Sequence, residues 1–201
     1  MKREIREPKQ KRSIEKKNKI IEAAYKVFND KGYYNTNTAE IAKEAGLSTG
    51  CLYDYFIDKQ DLFISVLAMH NAQIKEMIFS GLNAIPNDIN LLEFMKTFIQ
   101  IFIDSHNHSK GFHQEVMALS YTNHAIEDFL FSYENDRSIE FFSSYLEKRG
   151  IQLHDKQNQI LLMLGTIDNL CHELLFKKHI LVEESRYISE CAYMIIAMLT
   201  H

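Results

Sequence analysis

Apolar residues recur at helical spacing along most of the chain and are interrupted by short polar or glycine-bearing joints, a pattern that predicts an all-α protein. Ile20, Ile21, Ala24, Val27 and Phe28 share one face of a first helix, which Gly32 stops. Asn37, with Glu40 three positions on, reads as the N-cap of a short second helix with Ile41, Ala42 and Ala45 on its inner side. Gly46 supplies the left-handed backbone that a tight turn requires, Leu47 plugs the corner, and Ser48 caps a third helix predicted over 49–56. On that helix Leu52 and Phe56 lie together at i, i+4, which leaves Thr49, Gly50, Tyr53 and Asp54 on the other face. Small residue, glycine turn, apolar plug and serine cap at these spacings read as a helix-turn-helix, a DNA-reading element rather than a plain helical hairpin.

Between residues 20 and 63 the Gly-Tyr-Tyr turn, IAKEAGLS, LYDYF and the DKQDLF helix start resemble the tetracycline-repressor (TetR) family of bacterial transcription regulators. The likeness covers the first third of the chain, and it has two departures. Cys51 stands where the family usually has Thr or Ser, and Thr38 where Val or Leu is common. The resemblance implies a three-helix DNA-binding domain with a basic N-terminal arm over 1–60, and a helical effector-binding and dimerisation domain over 61–201.

That second part is predicted to be helical over 59–82, 88–105, 111–121, 124–149, 155–178 and 184–200. The last two helices, with LLMLGTIDNL and YMIIAML, are too broadly apolar for a monomer surface. Met163, Ile167, Leu170, Met194, Ile195 and Met198 are therefore the expected dimer interface, in the place where the resemblance puts a four-helix contact. A two-fold dimer suits a two-fold operator.

Charge divides the chain in the same way. Residues 1–60 hold 13 Lys or Arg against 9 Asp or Glu, whereas residues 61–201 hold 10 against 18. The first 20 residues carry 9 basic and 3 acidic side chains, as suits an arm that attracts phosphates. The charged N-terminus and the lack of a long apolar run exclude a secretory signal and a membrane span, so a cytoplasmic protein is expected. Cys51, Cys171 and Cys191 are widely spaced, with reduced thiols as the expectation.

The expected DNA contacts follow from the helix-turn-helix. Thr49 and Gly50 approach base edges and Cys51 a thymine methyl; Tyr53, Tyr55 and Lys59 meet phosphates, as do Lys11 and Arg12 from the arm; Thr36 and Thr38 hold backbone. For an effector, the Phe- and Tyr-rich composition suits an apolar or aromatic small molecule. Phe98, Phe102, Met117, Tyr121, Phe129, Tyr133, Met163 and Ile167 are candidate lining residues, with His113, Glu115, Asn169 and His172 as polar partners, although core packing is the commoner role for any one of them.

No Glu-x-x-His pair, GxSxG, phosphate-binding loop or HExxH is present, so no enzyme is expected. All nine histidines follow residue 60 and read as surface and cap residues, and no metal or other cofactor is expected. The function expected is a homodimeric repressor released from a palindromic operator by its effector. An architectural or cell-cycle DNA-binding factor without an effector needs the same reading head and dimer.

Overall fold

The computed structural model of the 201-residue chain describes residues 10–134, 136–177 and 183–200, the side chains of 131–137 excepted. These residues form ten α-helices and no strand: α1 (Lys11–Lys31), α2 (Thr38–Glu44), α3 (Thr49–Tyr53), α4 (Lys59–Ala84), α5 (Leu91–His108), α6 (Lys110–Ser120), α7 (His124–Glu134), α8 (Asp136–Lys148), α9 (Lys156–Phe176) and α10 (Glu184–Thr200). Helices α7 and α8 cover the stretch predicted as one helix over 124–149, and the position between them, residue 135, lies outside the described residues.

The chain divides into two compact units, one of Met1–Ile74 with Gly111–Phe129 and one of Lys75–Lys110 with Leu130–His201. The first unit thus reaches past residue 60 and takes in α6. Its core holds Ile20, Ala24, Phe28, Ile41, Leu52, Phe56, Leu62 and Phe63, all at most 1% exposed. Phe63 is the hub: its ring meets Phe28 and Tyr33 edge-on at 5.1 Å each and Phe112 of α6 at 5.7 Å. Such aromatic pairs add about 0.5–1.5 kcal/mol each beyond their buried area.

In the second unit α5 packs against α9 and α10, and α8 against α9. Phe98 stacks on Phe102 at 5.2 Å, and both approach Phe142 at 5.9 Å. At and just beyond the C-terminal end of α4, the carbonyls of Leu82, Ile85 and Pro86 find donors in the last turn of α8 and the residue that follows it. The Tyr145 hydroxyl donates to Leu82 O at 2.6 Å, and the Arg149 guanidinium donates to Ile85 O at 2.7 Å and Pro86 O at 2.9 Å. Arg149 also lies 4.7 Å from the Phe94 ring centre, so its charge is held by carbonyls on one side and by a π face on the other.

Gly81 of α4 shows how tightly this unit is packed. Helix propensity alone would reward Gly→Ala by about 1 kcal/mol, yet a Cβ there would sit 3.0 Å from both Cγ1 and Cγ2 of Ile101 and 3.2 Å from its Cδ1. Three atoms of a β-branched side chain cannot all withdraw by one rotamer change. Gly81→Ala is expected to lower the unfolding free energy by about 1 kcal/mol, measured by denaturant unfolding. A gain in stability would show that Ile101 yields freely.

Candidate nucleic-acid interface

Each part of the helix-turn-helix is fixed by a local hydrogen bond that its sequence supplies. Asn37 accepts from Glu40 N at 3.0 Å and so caps α2, and Ser48 accepts from Cys51 N at 3.2 Å and so caps α3. Between them Gly46, at φ 64°, donates to Lys43 O, and Leu47 N donates to Ala42 O. These paired bonds from the two residues after the helix end form a Schellman motif, which turns the chain sharply into α3. Helix α3 ends at Tyr53, short of the predicted 56, although the Tyr55 and Phe56 amides still donate to Leu52 O at 3.0 and 3.1 Å.

Longer contacts set the angle of α3. The Tyr53 hydroxyl lies 3.0 Å from the Thr38 hydroxyl and joins α3 to the start of α2. The Tyr55 hydroxyl lies 3.0 Å from Ser13, on the first turn of α1, beside the exposed Lys11 and Arg12. Lys31 donates to Glu40 at 3.0 Å across α1 and α2, and this bond is the main reason that the Glu40 pKa is lowered. With Leu52 buried at 0%, α3 turns outward the half-buried Thr49, Cys51 and Tyr53 and the exposed Gly50. A Cβ on Gly50 would meet only Ser48 Oγ, at 3.9 Å, so the protein's own packing does not demand glycine there.

Two expected contacts have other work. Thr36 is 3% exposed and its hydroxyl donates to Gly32 O at 2.8 Å, which fixes the α1–α2 turn and leaves it no reach toward a phosphate. Lys59 donates to Tyr33 O at 2.8 Å and Thr36 O at 2.9 Å, and its ammonium sits 4.3 Å from the centre of the Tyr33 ring. Its ammonium thus serves the fold of the α1–α2 turn. Burial, followed by the negative charge of Asp58, raises the Tyr33 pKa and keeps that ring neutral under the lysine. Glu115 of α6 accepts from Tyr33 N at 2.5 Å at the same turn; neither it nor Ser13 was marked as part of the reading head by the local pattern.

The expected effector and interface residues scatter. Phe98, Phe102, Met163 and Ile167 are at most 8% exposed and pack in the core of the second unit, whereas Tyr121 is 83% exposed and Asn169 is exposed. His113, Met117 and Phe129 are half-buried within the first unit, His172 is half-buried in the second, and the Tyr133 side chain lies outside the described residues. None of them lines the cavity of about 480 Å³ in the second unit, which Glu76, Met77, Ser80, Gly81, Ile101 and Asp104 surround. Met163, Ile167, Leu170 and Ile195 are at most 3% exposed and face their own chain's core, so they cannot present a surface to a partner; Met194 is exposed and Met198 half-buried.

Residues 20–66 match the family described as bacterial regulatory proteins, tetR family. Over 53 residues the chain is 47% identical to the HTH-type transcriptional regulator HbdR of Aromatoleum sp., a stretch that spans 26% of this chain and 23% of that protein. A Staphylococcus aureus HTH-type transcriptional regulator (strain MRSA252) is 27% identical over 168 residues, 73% of this chain and 91% of its own length. A TetR-family regulator structure from Mesorhizobium loti superposes with a TM-score of 0.75 at 22% identity, over 94% of this chain and 98% of that one. The chain belongs to the TetR family. TetR-family proteins are DNA-binding transcription regulators and not enzymes, and the helix-turn-helix built by α2 and α3 is the part that the family shares. Among the described residues no helix is long and apolar enough to cross a membrane.

The role of Lys59 is open to direct test. Lys59→Met should lower the unfolding free energy by about 2 kcal/mol, since hydrogen bonds from a charged group contribute about 1.5–3 kcal/mol. Unchanged stability with weakened DNA binding would return Lys59 to phosphate contact.

Proposed function

We propose that the protein is a homodimeric repressor that places α3 of each subunit in successive major grooves of a palindromic operator and is released by an apolar or aromatic small molecule. The observation that carries the DNA reading is Gly50, exposed at the start of a rigidly capped helix with open space where a side chain would go. The fold does not need glycine there; close approach to a base edge does. Thr49, Cys51 and Tyr53 lie on the same helix, and Lys11, Arg12 and Tyr55 are available for phosphates, with Thr38 holding Tyr53 in place. Gly50→Leu is expected to keep the wild-type melting temperature and to lower affinity for an operator recovered by random-pool selection at least tenfold. Wild-type affinity would remove α3 from the interface.

The dimer reading keeps Met194 from the residues that periodicity picked out and otherwise rests on new ones. Leu161 and Leu162 of α9 are 44% and 59% exposed, and Tyr193 and Met194 of α10 are 55% and 56% exposed. A second copy related by a two-fold axis would cover both helices at once. Leu162→Glu is expected to convert a dimer to folded monomers by sedimentation, whereas Ile195→Glu, at a core position, should unfold the chain. An intact Leu162→Glu dimer would move the interface elsewhere.

The effector is proposed to enter the aromatic core of the second unit around Phe98 and Phe102, which must open to admit it. One protein of the same fold, with a TM-score of 0.63, is the fatty acid degradation regulator FadR of Bacillus halodurans, which makes long apolar molecules the first class to screen. The close packing of these rings favours one alternative, a DNA-binding factor with no effector. Release of bound operator by an apolar compound separates the two.

A further inference from the structure

Between residues 139 and 146 the core-facing stripe of α8 contains one polar residue. Ile139, Phe142, Ser143 and Leu146 fall at i, i+3, i+4 and i+7, and the last three are 6%, 3% and 0% exposed. The Ser143 hydroxyl is buried and has no hydrogen-bond partner. Elsewhere in the chain, helical hydroxyls turn back onto their own helix: Ser65 donates to Asp61 O at 3.1 Å, Thr97 to Glu93 O at 2.8 Å and Ser189 to Ser185 O at 2.8 Å. Ser143 makes no such bond to Ile139 O, four residues back. The other buried polar side chains described in the second unit are engaged. Ser105 donates to Phe102 O at 2.8 Å and Gln159 to Met198 O at 2.9 Å, and Ser109 is also partnered.

A buried hydroxyl without a partner weighs against folding, and alanine would fill the same place without that cost and with a better helix propensity. Packing alone therefore gives no reason for serine here. A single water is a poor remedy, because a buried water needs about two to four polar partners and the rest of the stripe is Ile139, Phe142 and Leu146. The hydroxyl sits next in sequence to Phe142, whose ring approaches Phe98 and Phe102, the rings proposed to part for an effector. What such a molecule can carry into this core is limited by charge. Among the described residues no Lys, Arg, Asp or Glu is buried, and the guanidinium of Arg149, just after α8, is held by the carbonyls of Ile85 and Pro86. A charged head group would lose its hydration there and gain no counter-charge. A neutral oxygen would gain the hydrogen bond that Ser143 lacks, and a hydroxyl can serve it as donor or as acceptor.

We propose that Ser143 is the polar anchor of the effector site, and that the effector is a neutral, largely apolar molecule with one hydrogen-bonding oxygen, of the phenol, alcohol or ketone type and not a carboxylate. This rests on the reading that an effector enters the core around Phe98 and Phe102, and it adds the head group and the residue that recognises it. The rings supply apolar area, which any hydrocarbon of suitable size can use; the hydroxyl distinguishes an oxygenated ligand from its hydrocarbon counterpart.

The test titrates the full-length chain with para-butylphenol and with butylbenzene, which differ by one hydroxyl, and follows binding by calorimetry. The wild type is expected to bind the phenol at least tenfold more tightly than the hydrocarbon, and Ser143→Ala to lose that preference while its affinity for butylbenzene stays at the wild-type value. Without ligand, Ser143→Ala should melt above the wild type, and by more than Ser144→Ala, an exposed neighbour on the same helix where only helix propensity acts. Equal wild-type affinity for the two compounds, or a preference that survives in Ser143→Ala, would overturn the anchor and leave entry into the core standing. A lowered melting temperature in Ser143→Ala would show that the hydroxyl supports the fold and would also overturn the anchor. Binding of neither compound by the wild type would overturn entry into the core and the anchor with it. The measurement needs no DNA, so its outcome is independent of the operator reading.

Discussion

The Lys59 ammonium, set against the carbonyls of Tyr33 and Thr36, is the contact on which the reading head depends. The turn between α1 and α2 leaves Tyr34, Asn35 and Asn37 exposed and buries Tyr33 and Thr36, so it is the backbone groups of these two that need partners. Each must find a partner within the protein or weigh against folding by about 1–3 kcal/mol. Lys59 takes two carbonyls, Glu115 takes the Tyr33 amide, and the Thr36 hydroxyl takes Gly32 O. Gly32 is part of the same arrangement: its φ is 77°, and a Cβ there would meet the Glu115 carboxylate at 3.1 Å. With the turn held, α2 leaves α1 at one angle, and the Schellman motif and the Thr38–Tyr53 bond carry that angle into α3. A helix of five residues has little stability of its own, so its aim is set by these neighbours.

What the sequence made legible was local. Asn37, Ser48 and Gly46 act through atoms three to five residues away, and a cap or turn of that kind announces itself by spacing alone. Lys59, Glu115 and Asp168 act over separations of 26, 82 and 62 residues. No periodicity reports such pairs. Lys59 in particular reads from sequence as an exposed cation at a helix start beside a DNA-binding element, and only the position of the Tyr33 ring and carbonyls shows where its charge is used.

Four of the six residues expected at a dimer interface lie in the chain's own core for a related reason. Successive residues on a helix turn by about 100°, so Leu162 and Met163, alike in character and adjacent in sequence, point to different sides of α9. Met163 is 0% exposed and Leu162 is 59% exposed. A helix apolar all round gives hydrophobicity no way to choose between the chain's own core and a second chain. Packing chooses: the stripe of Ile160, Met163, Ile167 and Leu170 meets α5, α8 and α10, and the remainder is left outside.

Helix α9 therefore carries three stripes with different duties. The inner one is core, the outer one around Leu162 and Gly165 is the proposed contact with a second copy, and Asp168 and His172 lie along the border between them. Asp168, one turn from His172 on α9, lies 3.1 Å from His106 Nε2 on α5 along that border. The contact thus joins α5 to the helix that also presents Leu161 and Leu162. Core packing keeps movements of such an element small and discrete, and in the proposed two-fold dimer both subunits would make the same movement.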